Sequence, residues 1–168
     1  GELRGIAGIY PVTFGPNEGQ NFFLLYMYSN ASGSETFNFK FYDDSSGLTY
    51  DLPETYVFVA DLPLGNLFTP ESLTYTAPSG GDDGGSGGNG YVDGSGWNQE
   101  GEGGYTPSNG NLAPSNFNDY LNTNSVTYKL TDDDGNTVGD NGDLLGAFYD
   151  GELRGIAGIY PVTFGPNE

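Results

Sequence analysis

The sequence predicts an all-β chain built as an antiparallel β-sandwich and repeated head to tail. Three observations carry that expectation. Apolar residues recur at period two in several short runs, and no stretch has helical period. Turns rich in Gly, Pro, Asn and Asp separate those runs at near-regular spacing. Finally, GELRGIAGIYPVTFGPNE occurs twice, letter for letter, as residues 1–18 and 151–168, a period of 150. Convergence on a hydrophobic pattern would keep residue class and let Ile, Val and Leu drift, so identity over this length records a tandem repeat. The sandwich could be immunoglobulin-like or jelly-roll-like.

The first run, residues 1–14, has Leu3, Ile6, Ile9, Val12 and Phe14 as its apolar points and breaks near Gly5, Gly8 and Pro11. After the turn GPNEG, residues 21–29 (NFFLLYMYS) are the most strand-like stretch. Phe22, Leu24, Tyr26 and Tyr28 fall on one face and Phe23, Leu25 and Met27 on the other, so both faces should be covered. Residues 36–42 (TFNFKFY) alternate Phe37, Phe39 and Phe41 against Asn38 and Lys40, the pattern of a half-buried strand. Short strands are expected at 48–51, 55–60 and 72–76.

Residues 77–113 are rich in Gly and nearly free of aliphatic side chains. As a flexible coil such a segment would span about 30–35 Å. Tyr91, Trp97 and Tyr105 are spaced through it, however, and aromatics so placed tend to dock on a neighbouring surface. Regular pattern returns at 124–131 (NSVTYKLT), then a DDDGN turn, then LLGAFY and GELRGIA on either side of Asp150-Gly151. Asp-Gly between two apolar runs is a strong signal for a hairpin closed by a type I′ turn, so residues 144–149 should pair with 152–158.

The numbering is thus out of phase with the repeat. Residues 1–76 read as the C-terminal part of one unit, 77–113 as a Gly-rich linker or docked segment, and 114–168 as the N-terminal part of the next. The copy at 1–18 has no LLGAFY strand before it, and the copy at 151–168 has no NFFLLYMYS strand after it. Complementary pieces of this kind are suited to an open, head-to-tail array, whether covalent or made by strand exchange. Inter-unit pairing is expected to involve Leu3, Arg4, Ile6 and Ile9, then Phe22, Leu24 and Tyr26, then Leu145, Phe148, Leu153, Arg154, Ile156 and Ile159.

In the repeat's phase, SNFNDYLNTNSVTYKL, DLLGAFYDGELRGIA, FFLLYMYSN and GSETFNFKFYDDSSGLTYDLPETYVFVAD resemble a repeat domain of large secreted bacterial surface proteins. In those a G-A-F-x-x-G-E-x-R-G-x-A hairpin precedes an F-K-x-Y-D strand and an E-T-x-x-F-x-A-D strand. The resemblance covers about two thirds of the chain. It implies an extracellular β-sandwich at the cell surface, used as a building or display module and not as a catalyst.

Composition narrows the partners. With 4 Lys and Arg against 23 Asp and Glu the net charge is −19, which disfavours nucleic acid and anionic membranes. Neither a signal peptide nor an apolar run long enough to span a bilayer is visible, which reads as a mature fragment. Cys and His are both absent, and no nucleophile or phosphate-cradling loop stands out, so enzymatic activity is not expected. No cofactor is expected either. Calcium is the one metal with a candidate loop, at Asp132, Asp134 and Asn136, where oxygens fall at alternate positions. That loop departs from the EF-hand pattern, with Thr137 where Gly is needed and Asp143 where a bidentate Glu is needed, and a solvated turn is the simpler account. Copies of the chain are the expected partner, and glycans, stacked on tyrosine rings, are the alternative.

Overall fold

The computed structural model describes residues 16–76, 97, 113–114, 116–140 and 142–158. Its strands are β1 (Phe23–Ser29), β2 (Gly33–Asp43), β3 (Leu48–Val59), β4 (Glu71–Thr74), β5 (Asn122–Thr131), β6 (Thr137–Val138), β7 (Leu144–Tyr149) and β8 (Glu152–Gly158). The chain is all-β: one short 3₁₀ turn, Phe117–Asp119, is the only helical element among the described residues.

These strands form one sheet in the order β3-β2-β7-β8-β1-β5-β4, with β6 added on β5. The sheet curls until it is nearly closed into a barrel. Its end strands meet at a seam where the Thr74 amide of β4 donates to the Glu54 carboxylate of β3 at 2.9 Å. The ladders are antiparallel except between β4 and β5, which run parallel from Glu71 opposite Tyr128 to Thr74 opposite Thr131. Where two stacked sheets were expected, opposite walls of a single curled sheet face each other across the core.

That core is aromatic. Phe23, Leu25 and Met27 of β1 and Phe37, Phe39 and Phe41 of β2 point inward with Phe58, Leu73, Val126, Tyr128, Leu130 and Leu145. Phe37 stacks on Phe58 at 5.4 Å between centroids, and Phe39 meets the Tyr128 ring at 5.2 Å edge to face. Alternation in β2 follows from period two: Asn38 is exposed and Lys40 half-buried between buried phenylalanines.

Residues 48–51 and 55–60, expected as two strands, are joined. β3 runs through Pro53, and the register against β2 shifts between Asn38 opposite Thr55 and Lys40 opposite Asp51. Two features allow this. Pro53 has no N–H, but β3 lies at the end of the sheet and loses no ladder bond there. The surplus residues are absorbed as a bulge opposite Phe39.

The Asp150-Gly151 hairpin forms as the sequence indicates. Tyr149 lies opposite Glu152, and Asp150 (φ 51°) and Gly151 (φ 78°) both have the positive φ of a type I′ turn. Strands of residues 16–76 and of residues 113–158 alternate across the sheet. β1 lies between β8 and β5, and β4 pairs with β5, so neither strand finds a ladder partner in its own segment.

Candidate assembly site

The second copy of the duplicated sequence supplies β8, and β8 is inserted in the sheet. One edge pairs with β7 from Leu144 opposite Gly158 to Tyr149 opposite Glu152, and the other meets β1 with Met27 opposite Gly155. A strand hydrogen-bonded on both edges satisfies its backbone groups as fully as a chain can, which is why such a slot selects strand geometry.

Two glycines shape the slot. A Cβ on Gly155 would run into the carbonyl oxygen of Tyr26 and the Met27 side chain, so β8 and β1 approach closely only because this position has none. On β7, a Cβ on Gly146 would lie 2.8 Å from the Phe148 ring and 3.0 Å from the Trp97 ring. Trp97, from the Gly-rich segment, packs on a cluster of Tyr42, Leu144, Leu153 and Ile156 on the outer side of this wall, its ring 5.4 Å from that of Phe148. Docking of an aromatic from the Gly-rich stretch is thus realised at Trp97.

The polar side of β8 is a clamp around Arg154, whose side chain is 11% exposed. Its Nε donates to Glu152 at 2.9 Å, and Glu35 of β2 lies 3.6 Å from Nη1. The guanidinium sits over the Tyr120 ring at 4.5 Å and near the Tyr149 ring at 5.3 Å. Glu152 in turn accepts from the Tyr120 hydroxyl at 2.5 Å and from Asn116 at 2.8 Å. Ser29 donates to Glu35, closing the network on β1. Burial pushes the Glu152 carboxyl up, but the bonds from Tyr120, Asn116 and Arg154 outweigh it and hold it below its ordinary value. Burial, then the bond to Glu152, raises the Tyr120 hydroxyl to about 12.

Of the residues expected at the joint, Leu3, Arg4, Ile6, Ile9 and Ile159 lie outside the described residues. Leu153, Ile156 and Phe148 cluster at the β7–β8 pair, Arg154 lies in the clamp of the same strand, and Tyr26 approaches β8 through its backbone carbonyl at Gly155. Leu145 is buried in the main core, Phe22 is buried just before β1, and Leu24 is half-buried on β1 opposite Thr127. In the folded chain these side chains are covered by its own strands. Sequence reading did not single out Asn116, Tyr120, Glu35, Tyr149 or the steric role of Gly155; the glycine alone had a local signal, as a break within an apolar run.

The candidate calcium loop is used differently. The Asp132 carboxylate accepts from the amides of Asp134 (3.0 Å) and Asn136 (2.8 Å) and from the Asn136 side chain (3.0 Å), which fixes the turn between β5 and β6. These bonds, the Asn136 side-chain one first, hold its carboxyl below the ordinary range. Among the described residues no three His, Cys, Asp or Glu are grouped so as to hold a metal ion. Beside this turn a cleft of about 650 Å³ opens at the end of the barrel, lined in part by Asn21, Phe41, Tyr75, Asn136 and Asp143.

The described residues form an all-β module in which β8 is seated between β7 and β1. No family model matches the chain, and neither a curated protein nor a solved structure is similar to it.

Proposed function

We propose that the protein is a structural subunit of an extracellular filament or surface array, built from sandwich-like units repeated head to tail by strand complementation or covalent tandem repetition. The carrying observation is the identity of residues 2–8 with β8. Glu2, Leu3, Arg4, Gly5, Ile6 and Ala7 repeat Glu152, Leu153, Arg154, Gly155, Ile156 and Ala157. The steric and polar features that seat β8 therefore recur in the other copy. Backbone bonds on both edges would give such a joint strength, and the Arg154 clamp and Gly155 would fix its register. The resemblance to repeat domains of secreted bacterial surface proteins agrees with this role.

Electron microscopy of the native protein tests it, together with removal of residues 151–168. Filaments with an axial repeat of a few tens of ångströms, lost on truncation while the β-rich fold is retained through the remaining copy, are the expected result. Dispersed single particles would overturn it. The cleft by Tyr75 favours one second function, carbohydrate binding. It combines an aromatic ring with amide and carboxylate groups, the pairing that serves the apolar face and hydroxyls of a sugar. Retention of the native protein on immobilised glycans, abolished by Tyr75→Ala, would support that function.

A further inference from the structure

We propose that Asn30 is an N-glycosylation site, carrying a glycan through its side-chain nitrogen at the turn between β1 and β2. The inference goes beyond the array and rests on the extracellular placement proposed for it.

Three observations carry the inference. First, the acceptor pattern, Asn-x-Ser/Thr with x other than Pro, occurs once. Asn30-Ala31-Ser32 meets it, and no other asparagine of the chain has Ser or Thr two residues on. Such a site needs an accessible loop, because a bulky, hydrated group must stand clear of the packed chain. Residues 30–32 provide one. They bend the chain between Ser29 at the end of β1 and Gly33 at the start of β2, and Asn30 and Ser32 are both exposed.

Second, the hydrogen bonds leave the reacting atom free. Asn30 Oδ1 accepts from the backbone amide of Leu121 at 3.1 Å. A donor on that side fixes which way the side-chain amide points, and Nδ2 at its other corner has no hydrogen-bond partner among the described residues. Elsewhere the fold uses this atom: Asn17, Asn21, Asn66, Asn116, Asn124 and Asn136 all donate through Nδ2. The Ser32 hydroxyl is likewise without a partner among the described residues. The turn is held by other groups. The Ala31 amide donates to the Ser29 hydroxyl at 2.9 Å, and the Ser32 carbonyl accepts from the Ala60 amide at 3.0 Å. Its shape therefore depends on neither of the two groups that the modification needs.

Third, the site stands apart from the cleft. β1 runs from the cleft residue Asn21 towards Asn30, and Ser29 lies opposite Asn122 at the start of β5. The cleft residues Asp43 and Lys129 lie towards the far ends of β2 and β5. Asn30 is thus at the opposite end of the barrel, where a glycan leaves the cleft clear.

The transfer joins Asn30 Nδ2 to the anomeric carbon of a sugar donated as a glycosyl diphosphate. The carbon–oxygen bond to the diphosphate breaks, the diphosphate leaves with the electron pair, and the amide gives up one proton. The amide nitrogen keeps one N–H, and the Oδ1 bond to Leu121 is retained.

Mass spectrometry of the native protein tests the site, beside Asn30→Gln and Ser32→Ala produced in the same host. Cleavage after Arg4 and Lys40 isolates residues 5–40 as one peptide. That peptide is expected to exceed the mass of its sequence by a glycan, located on Asn30 by fragmentation, and to lose the whole increment in both variants. Ser32→Ala keeps Asn30 and its bond to Leu121, so it serves as the second variant should Asn30→Gln perturb folding. Ser32→Thr, which restores the pattern, should keep the glycan. An unmodified peptide from the native protein would overturn the proposal. If that protein is recovered from the cell surface the extracellular reading stands, and if it is found only inside cells that reading falls as well. An increment that persists in Asn30→Gln belongs to another residue and would overturn the proposal too.

Discussion

Gly155 of β8 faces the carbonyl oxygen of Tyr26 of β1 with no room for a Cβ between them. The obstacle is backbone, so it cannot turn aside as a side chain could. Gly155→Ala is expected to push β8 away from β1 and to cost about 1–3 kcal/mol, the usual range for forcing an extra carbon into a packed interior. Urea denaturation of Gly155→Ala, Gly5→Ala and the double variant measures it. If residues 151–158 hold the slot, Gly155→Ala alone lowers the midpoint and Gly5→Ala is silent. Rescue of Gly155→Ala by the intact first copy, with loss only in the double variant, would show that the two strands interchange.

Arg154 is held by shape as much as by charge. Its planar guanidinium bonds Glu152, faces Glu35 and covers the Tyr120 ring, a set that a lysine ammonium cannot reproduce. Arg154→Lys should therefore destabilise, by about 2 kcal/mol, and Arg154→Ala by about 3 kcal/mol because two partly buried carboxylates lose their cation. Thermal unfolding at constant pH measures both. A lysine variant as stable as the parent would show that charge alone suffices.

Trp97 is the only tryptophan in the sequence, so its fluorescence reports its own docking. Packed on Phe148 and Tyr42 above Gly146, it should emit at shorter wavelength than a solvated indole. Gly146→Ala places a carbon where the Trp97 and Phe148 rings now lie. A red shift of the emission in this variant, without loss of the β-sheet signal in circular dichroism, is the expected result. An unchanged spectrum would mean that the ring is not seated on that wall.

Local features of this fold were legible in the sequence and non-local ones were not. The Asp150-Gly151 hairpin needs positive φ at two consecutive positions, and the alternation around Phe37, Phe39 and Phe41 needs one buried face; both are written within a few residues. The near-closure of the sheet depends on β4 running parallel to β5, a pairing of Leu73 with Leu130 that period two does not encode. The sequence suggests separate strands at 48–51 and 55–60, yet the edge position of β3 lets one strand pass through Pro53. At the site, Glu152 and Arg154 lie two apart on one strand face and could be read as a pair. Asn116 and Tyr120 reach Glu152 from 36 and 32 residues away, so only the folded chain brings them there.

Asp143 gives the fold a pH dependence whose sign can be worked out. The residue is 4% exposed, and burial raises its carboxyl to about 6 although the amides of Asp140 and Asp44 both donate to it. Asp43 and Asp140 push it in the same direction as burial. In the unfolded chain the group titrates near its ordinary value of about 4. Between these values the folded state holds the proton and the unfolded state does not, so stability rises as pH falls from about 6 to about 4. Glu152 acts oppositely. Its carboxyl is held below its ordinary value, so its contribution is present above the unfolded value and is lost as pH falls further. The melting temperature should therefore pass through a maximum between about pH 4 and 6. Screening of the −19 surface also helps on acidification, so the comparison that isolates Asp143 is with Asp143→Asn. The asparagine cannot accept from both amides and should lower stability overall, while flattening the rise between pH 6 and 4 by an amount on the order of 2 kcal/mol. An equal rise in both proteins would assign the effect to surface charge and not to this carboxyl.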